Sequence, residues 1–361
     1  EGEFVLMEPK GRYSTVTEDS YVVAYHFNSI LSNCTRTFLN RFLSYERVID
    51  DKFSVCSSLP IKSQIRNILL GVVSVLEETD VCPHYYDIKI EEKGKGLVKS
   101  RNIVVGNPEE AEVLFGGHYD TCAWMPFPNF MAPTSPILFW GYQILLVVMM
   151  IVPTALIGFL IGFIFNSGVV AYFTFLIALI ALLIQLMVGF RNKHTANDNT
   201  SGIITLTHIL ENLPEEQRSK VCVIYFDNEE KGLLGSAFFF NKHKKQIKDK
   251  MLINFDCVGD GDHIVTMANG KSRDDAKYPL FVEALEKAEK GADVHYLCRK
   301  MKFMMFPSDQ ANFRKGIGVC SLKKSSIGLY VARIHTYFDT KCRQENIDYL
   351  TKAMTEFIAR L

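Results

Sequence analysis

The sequence predicts an α/β protein with a mixed, mostly parallel central sheet and helices on both faces, interrupted by a two-helix transmembrane hairpin. Three observations carry that expectation. The continuous apolar run Val221–Phe226 has the character of a strand buried on both faces, and the mostly apolar Met251–Val258 reads as another buried strand. Stretches whose apolar residues recur at helical spacing alternate with these runs. Between Asp120 and Arg191 there is no Asp, Glu, Lys, Arg or His at all.

The chain has 361 residues, enough for one large domain or two ordinary ones. Lys plus Arg and Asp plus Glu number 40 each, so the formal charge is zero. No basic excess invites nucleic acid, and no nucleic-acid partner is expected. The hydrophobic share of 48% is an average that hides a concentration of apolar residues in the insert. Nine cysteines occur, an odd number, with no CxxC pair. That pattern reads as reduced, mostly buried thiols, not a disulfide framework or a cysteine zinc ribbon. The triplet Asn33-Cys34-Thr35 is a weak glycosylation signal.

In chain order, residues 1–58 carry no motif and form an N-terminal segment of unclear role, with a short helix expected over Phe38–Val48. Ser63–Glu78 places Ile65, Ile68, Leu69, Val72, Val73 and Leu76 on one helical face, with Ser63 as N-cap. Tyr86–Glu91, Asn102–Gly106 and Glu112–Gly116 read as strands separated by Gly- and Pro-containing turns. The third strand runs into His118, and the end of a strand is where open α/β sheets place ligands.

The insert follows. Ile137–Phe165 and Val169–Phe190 are apolar runs split by Asn166-Ser167-Gly168. Each meets the ~20 residues needed to cross a bilayer core of ~30 Å. Trp140 and Tyr142 stand at the entry, where an aromatic belt belongs, and Gly158 and Gly162 have the small-xxx-small spacing of close helix contact. A hairpin buried in a soluble core is the competing reading, but core helices of this length rarely lack charge altogether. Residues 137–190 are thus expected in the lipid bilayer as two spans. Arg191 and Lys193 flank them, and the 166–168 tip is uncharged, so the positive-inside pattern puts the rest of the chain in the cytoplasm.

Beyond Gly202 the alternation resumes. Helices are expected over Ile203–Leu213, Gly232–Ile247, Tyr278–Lys290 and Glu345–Leu361, the first capped by the Asp198–Ser201 region. Strands are expected over Val221–Phe226, Met251–Val258, His263–Met267, Val294–Leu297, Gly318–Leu322 and Gly328–Ala332. Residues 59–136 and 191–361 then make one catalytic domain, interrupted once by 137–190.

Against the apolar strands stand His118 with Asp120, Asp198, the pair Glu229 and Glu230, Asp256, and His335. Two imidazoles and several carboxylates without cysteine are the ligand types of a hydrolytic two-zinc site, whose metals need a bridging carboxylate. Singly, each has a bland alternative: Asp198 as a helix cap, the glutamates as first-turn acids, His335 as a core histidine. Asp256, between Phe255 and Cys257, is a carboxylate at an apolar strand and calls for a partner.

Together, Gly-Gly-His118-Tyr-Asp120-Thr, Asn-Asp198-Asn-Thr-Ser-Gly, Asp-Asn-Glu229-Glu230-Lys-Gly, Asn-Phe-Asp256 and His335-Thr-Tyr-Phe-Asp339-Thr resemble the co-catalytic zinc exopeptidases. That family includes bacterial leucyl aminopeptidases, glutamate carboxypeptidase II and glutaminyl cyclases. The resemblance covers about residues 60–361 without the hairpin, and the hairpin is the departure from it. It implies a zinc aminopeptidase-like fold and two zinc ions. His118, Asp198, Glu230, Asp256 and His335 would be the metal ligands, with Asp198 as the bridge. Glu229 would be general base toward a metal-activated water, with Asp120 behind His118. The expected function is a membrane-anchored aminopeptidase acting on peptides. A glutaminyl cyclase, a carboxypeptidase or an inactive membrane-tethered binding protein on the same fold remain the alternatives.

Overall fold

The computed structural model describes residues 5–7, 13–15, 87–95, 99–290, 292–300, 306–326 and 328–361. The helices expected over 38–48 and 63–78 lie outside these residues, as does the triplet at 33–35.

Two short strands, β1 (Val5–Met7) and β2 (Tyr13–Thr15), pair antiparallel with each other. The main sheet draws on β3 (Ile88–Lys93), β4 (Ser100–Val105), β5 (Val113–His118), β6 (Phe130–Met131), β7 (Val221–Phe226), β8 (Met251–Phe255), β9 (His263–Ala268), β10 (His295–Lys300), β11 (Lys315–Ser325) and β12 (Gly328–Ala332). Its order is β10-β9-β11-β8-β5-β7-β4-β3, with β12 pairing β11 and β6. At the centre β11, β8, β5 and β7 run parallel. β4 and β3 complete one side antiparallel, and β9 joins the other side antiparallel to β11. The sheet is mixed with a parallel centre, as the sequence predicts.

Alternation along the central strands sorts their side chains to two faces. Val113, Phe115, Val221, Val223, Tyr225, Ile253 and Phe255 bury against helices α3 (Ser201–Asn212), α5 (Lys277–Glu289) and α6 (Gln344–Ala359). Leu114, Cys222, Ile224, Phe226 and Leu252 bury on the other face with Phe239 and Ile247 of helix α4 (Leu234–Ile247). Helices thus cover both faces, which is why every position of β7 and β8 is buried, the polar Asn254 included.

One buried charge tests this core. Glu211 on α3 lines a cleft with His208, Lys287 and Asp348, and burial pushes its carboxyl from 4.5 up to about 7. The native chain therefore binds more protons at this site than the unfolded one between those values. Stability from this group is full below 4.5 and is lost as pH rises through about 7. Glu211→Gln should raise stability at pH 8 by about 1–2 kcal/mol, after discounting for partial exposure, and leave it unchanged near pH 4. Thermal melts of both proteins at the two pH values check this; a difference that does not vary with pH refutes it.

The insert forms α1 (Pro136–Ile164), capped by Ser135, and α2 (Gly168–Val188), capped by Ser167. Thr154, Gly158 and Gly162 are the buried residues of α1, and α2 has none. At Gly158 an added Cβ would stand 2.7 Å from the Ala171 carbonyl oxygen, so the glycine is what lets the two helices meet. The remaining faces are apolar and exposed: Ile137 is 85% and Phe163 76% accessible. The insert is therefore not a hairpin buried in a soluble core.

Its feet are stitched to the body. Trp124 N–H donates to Phe190 O at 2.7 Å, Asn192 N–H to Cys122 O at 3.1 Å, and Met125 N–H to His335 O at 2.8 Å. Arg191 Nη1 donates to Thr121 O at 2.8 Å.

Candidate metal centre

Because β5, β7 and β8 are parallel neighbours, their C-terminal ends share one edge of the sheet. His118 ends β5 opposite Phe226, the last residue of β7. Glu229 and Glu230 lie in the turn after β7, and Asp256 directly follows β8. Asp198 comes from the irregular turn Ala196–Thr200 before α3, where the Asp198–Asn199 peptide is cis. His335 sits in the loop after β12. All seven residues singled out in the sequence converge here.

Asp198 is the centre of the arrangement. Its Oδ1 lies 3.2 Å from His118 Nε2, and its Oδ2 lies 2.9 Å from His335 Nε2. Asp256 Oδ1 stands 3.6 Å from His118 Nε2, and Glu230 Oε2 stands 3.5 Å from His335 Nε2. Each histidine is thus grouped with one further carboxylate, and Asp198 offers one oxygen to each group. His118 Nδ1 faces Asp120, 3.2 Å from its backbone oxygen and 3.6 Å from Oδ1. The Asp120 carboxylate also accepts from the backbone N–H of Glu229 at 2.9 Å and of Glu230 at 3.3 Å. One acid therefore orients the first histidine and fixes the glutamate turn.

The backbone at these points is bent sharply. Asn228, Cys257 and His335 have φ of 58°, 56° and 63°. Left-handed backbone at a non-glycine residue persists where surrounding contacts enforce it. Asn228 donates to Lys99 O and Ser100 Oγ, and His335 O accepts from Met125.

Asn197, Asn199 and Asp339 stand within the sequence motifs, which assign none of them a role. Asn199 Nδ2 donates to Phe255 O at 2.9 Å and His118 O at 3.3 Å, while its Oδ1 accepts from Gly202 and Cys257. It ties the ends of β5 and β8 to the start of α3, and the cap expected from residues 198–201 comes from this side chain. Asn197 Oδ1 accepts from Gly259 and Asp260. The Asp339 carboxylate receives the N–H groups of Asn197 at 2.8 Å and Asp198 at 3.0 Å. Burial, reinforced by the Asp198 charge, pushes Asp339 up to about 7.

Two further residues come from outside the expected set. Asp309, fully buried, is pushed by burial to about 7 against the opposing pull of His118. Cys122 lies with Glu230 and His335, their ligand atoms within 4.8 Å of one another. Burial, then the Glu230 charge, push its thiol far up. Cysteine was absent from the expected ligand set.

The donor chemistry fits divalent cations. Among the described residues, the ion pairs of Asp120, Asp198, Glu230 and Asp256 are with His118 and His335 alone. Burial pushes Glu230 up to about 7, and Glu229 rises well above its ordinary value through burial and the Glu230 charge. Burial works to lower His335, but the Glu230 and Asp198 charges outweigh it and carry it to about 10. His118 is likewise raised against its own burial, by the Glu229 charge and by hydrogen bonds. Carboxylates outnumber imidazoles, and Glu230 Oε1 is buried without a hydrogen-bond partner. A buried negative surplus with unused lone pairs is what hard and borderline cations neutralise.

The model of Peptidase family M28 matches residues 186–358. No match is found among curated proteins. Solved structures with a related course include the LapA aminopeptidase of Legionella pneumophila, at 14% identity and TM-score 0.45, covering 99% of this chain and 79% of that one. Glutaminyl cyclase of Fimbriiglobus ruber shows 14% identity and TM-score 0.45, covering 87% and 94%. An aminopeptidase from Aneurinibacillus sp. strain AM-1 shows 13% identity and TM-score 0.39, covering 73% and 48%. Likenesses this distant carry no argument about activity.

Proposed function

We propose that the chain, whose residues 186–358 match the model of Peptidase family M28, is a membrane-anchored, zinc-dependent aminopeptidase. One observation carries the reading: Asp198 stands between His118 with Asp256 and His335 with Glu230, one oxygen toward each. That is the donor arrangement of a pair of metal positions sharing a bridge. In this reading Asp198, His118 and Asp256 hold one zinc, and Asp198, Glu230 and His335 the other.

Zinc bound there would supply Lewis acidity toward the scissile carbonyl and bring the pKa of a water toward ~7. Glu229 acts as general base: a carboxylate oxygen takes the proton of the attacking water and returns it to the leaving amine. Asp120 keeps Glu229 in place through the backbone N–H it receives, and keeps the His118 ring oriented. The carboxylate-rich surroundings suit a substrate with a free α-amine.

Residues 59–136 and 191–361 serve as the catalytic body in this proposal, 137–190 as the anchor, and 1–58 as a separate segment. α1 has 29 residues and α2 has 21. At 1.5 Å per residue they reach about 44 and 31 Å, against a bilayer core of ~30 Å. Arg191 and Lys193 favour a cytoplasmic body. The contacts of Phe190 and Asn192 with Trp124 and Cys122 support an active site close to the membrane surface.

The test uses full-length protein in detergent or nanodiscs with aminoacyl fluorogenic substrates and peptides beginning with Gln. Release of N-terminal residues with two zinc ions per chain is expected. Cyclisation of Gln without cleavage, with one ion per chain, would replace this reading with a cyclase.

A further inference from the structure

We propose that Cys122 is a ligand of the second metal position, so that this position has four protein donors: Asp198, Glu230, His335 and Cys122. The inference rests on the two-metal reading above and goes beyond its ligand set. Cys122 Sγ, a Glu230 oxygen and a His335 nitrogen lie within 4.8 Å of one another, and the cysteine is free and 6% exposed. Independently, Glu230 Oε1 is buried without a partner in a side chain only 9% exposed. An imidazole, a thiol and a carboxylate with an unused oxygen meeting in one place form a zinc-type donor set.

The backbone holds the thiol there. Cys122 O accepts from Asn192 N–H, Thr121 O accepts from Arg191, and Ala123 bridges Arg191. The segment carrying Sγ is therefore fastened to the foot of the hairpin. Binding exchanges a proton for the cation: the S–H bond breaks, a sulfur–metal bond forms, the proton leaves to solvent, and nothing is oxidised. A coordinating cation deprotonates a thiol outright, whatever burial does to the metal-free group.

The consequence is an unequal pair. The position of His118, Asp256 and Asp198 keeps three protein donors and stays open, as hydrolytic zinc requires; the position with Cys122 closes and prefers soft-accepting metals. The anchor would thus bear directly on metal retention.

Metal-free full-length protein titrated with cobalt(II) tests this by absorption. Wild type should develop visible d–d bands and, with one of its two equivalents, a near-ultraviolet thiolate-to-cobalt charge-transfer band. Cys122→Ser and Cys122→Ala should keep the d–d bands, lose the charge-transfer band, and bind one equivalent more weakly by about tenfold or more. Retained d–d bands show that the variants still build the site. A wild type with d–d bands and no charge-transfer band, or a band that survives in both variants, overturns the assignment and leaves the two-metal reading standing. Failure of wild type to bind cobalt at all overturns both.

Discussion

Glu229→Gln should lower kcat for peptide hydrolysis by about a thousandfold, within the range assigned to a positioned general base. The substitution keeps shape and removes the proton acceptor. Glu229 is held through its backbone N–H, 2.9 Å from Asp120 Oδ1, and that bond does not involve the side chain being changed. The turn should stay in place, and KM and zinc content should stay close to wild type. A fall in kcat with unchanged KM is the signature of an interaction made in the transition state. Steady-state kinetics with elemental analysis on the same preparations decide it. Wild-type kcat in the variant would remove Glu229 from the mechanism. Loss of zinc in parallel with kcat would make it a ligand instead.

The parts of this molecule that were legible in the sequence are those set by local pattern. β7 and β12 fall on the expected residues, because runs this short, rich in β-branched or aromatic residues and bounded by turns, favour strand over helix. α2 runs Gly168–Val188, within two residues of expectation, since composition alone sets its length. His118, the Glu229–Glu230 pair and Asp256 follow β5, β7 and β8, parallel neighbours whose C-terminal ends share one edge, while Asp198 and His335 reach that edge from the turn before α3 and the loop after β12. Where the sequence was silent, the contacts are distant along the chain. Asp339 meets Asn197 across 142 residues, and Asn199 reaches His118 across 81. Asparagines beside a proposed ligand look like turn formers until the groups they bridge are known. Cys122 reads in the sequence as one of nine mostly buried thiols, because only the folded loop brings it to His335. The family match begins at residue 186, where the hairpin is ending, and so omits His118 and Asp120. The insert separates the first motif from the rest in sequence while the hydrogen bonds at its feet keep them together in space.

Asp198→Asn should reduce bound zinc from two ions to fewer than one and abolish hydrolysis, a larger loss than substitution of either histidine alone. The reason lies in how its oxygens are shared: Oδ1 faces His118 and Oδ2 faces His335. Although burial works against its charge, the two imidazoles hold its carboxyl well below the usual carboxylate range. Its carboxylate faces both imidazoles, so one charge serves both positions at once. Asparagine preserves the backbone N–H received by Asp339 Oδ2, so the turn before α3 should survive. What would be lost is the one negative charge that both groups of donors share, and two cations bound there would need it most. His335→Ala, in contrast, removes one donor from one position and should leave the His118 position loaded. Elemental analysis of the two variants after dialysis separates the cases. Equal zinc loss in both would mean that the positions are filled only as a unit. Full zinc in Asp198→Asn would show that the two metal groups do not share a carboxylate.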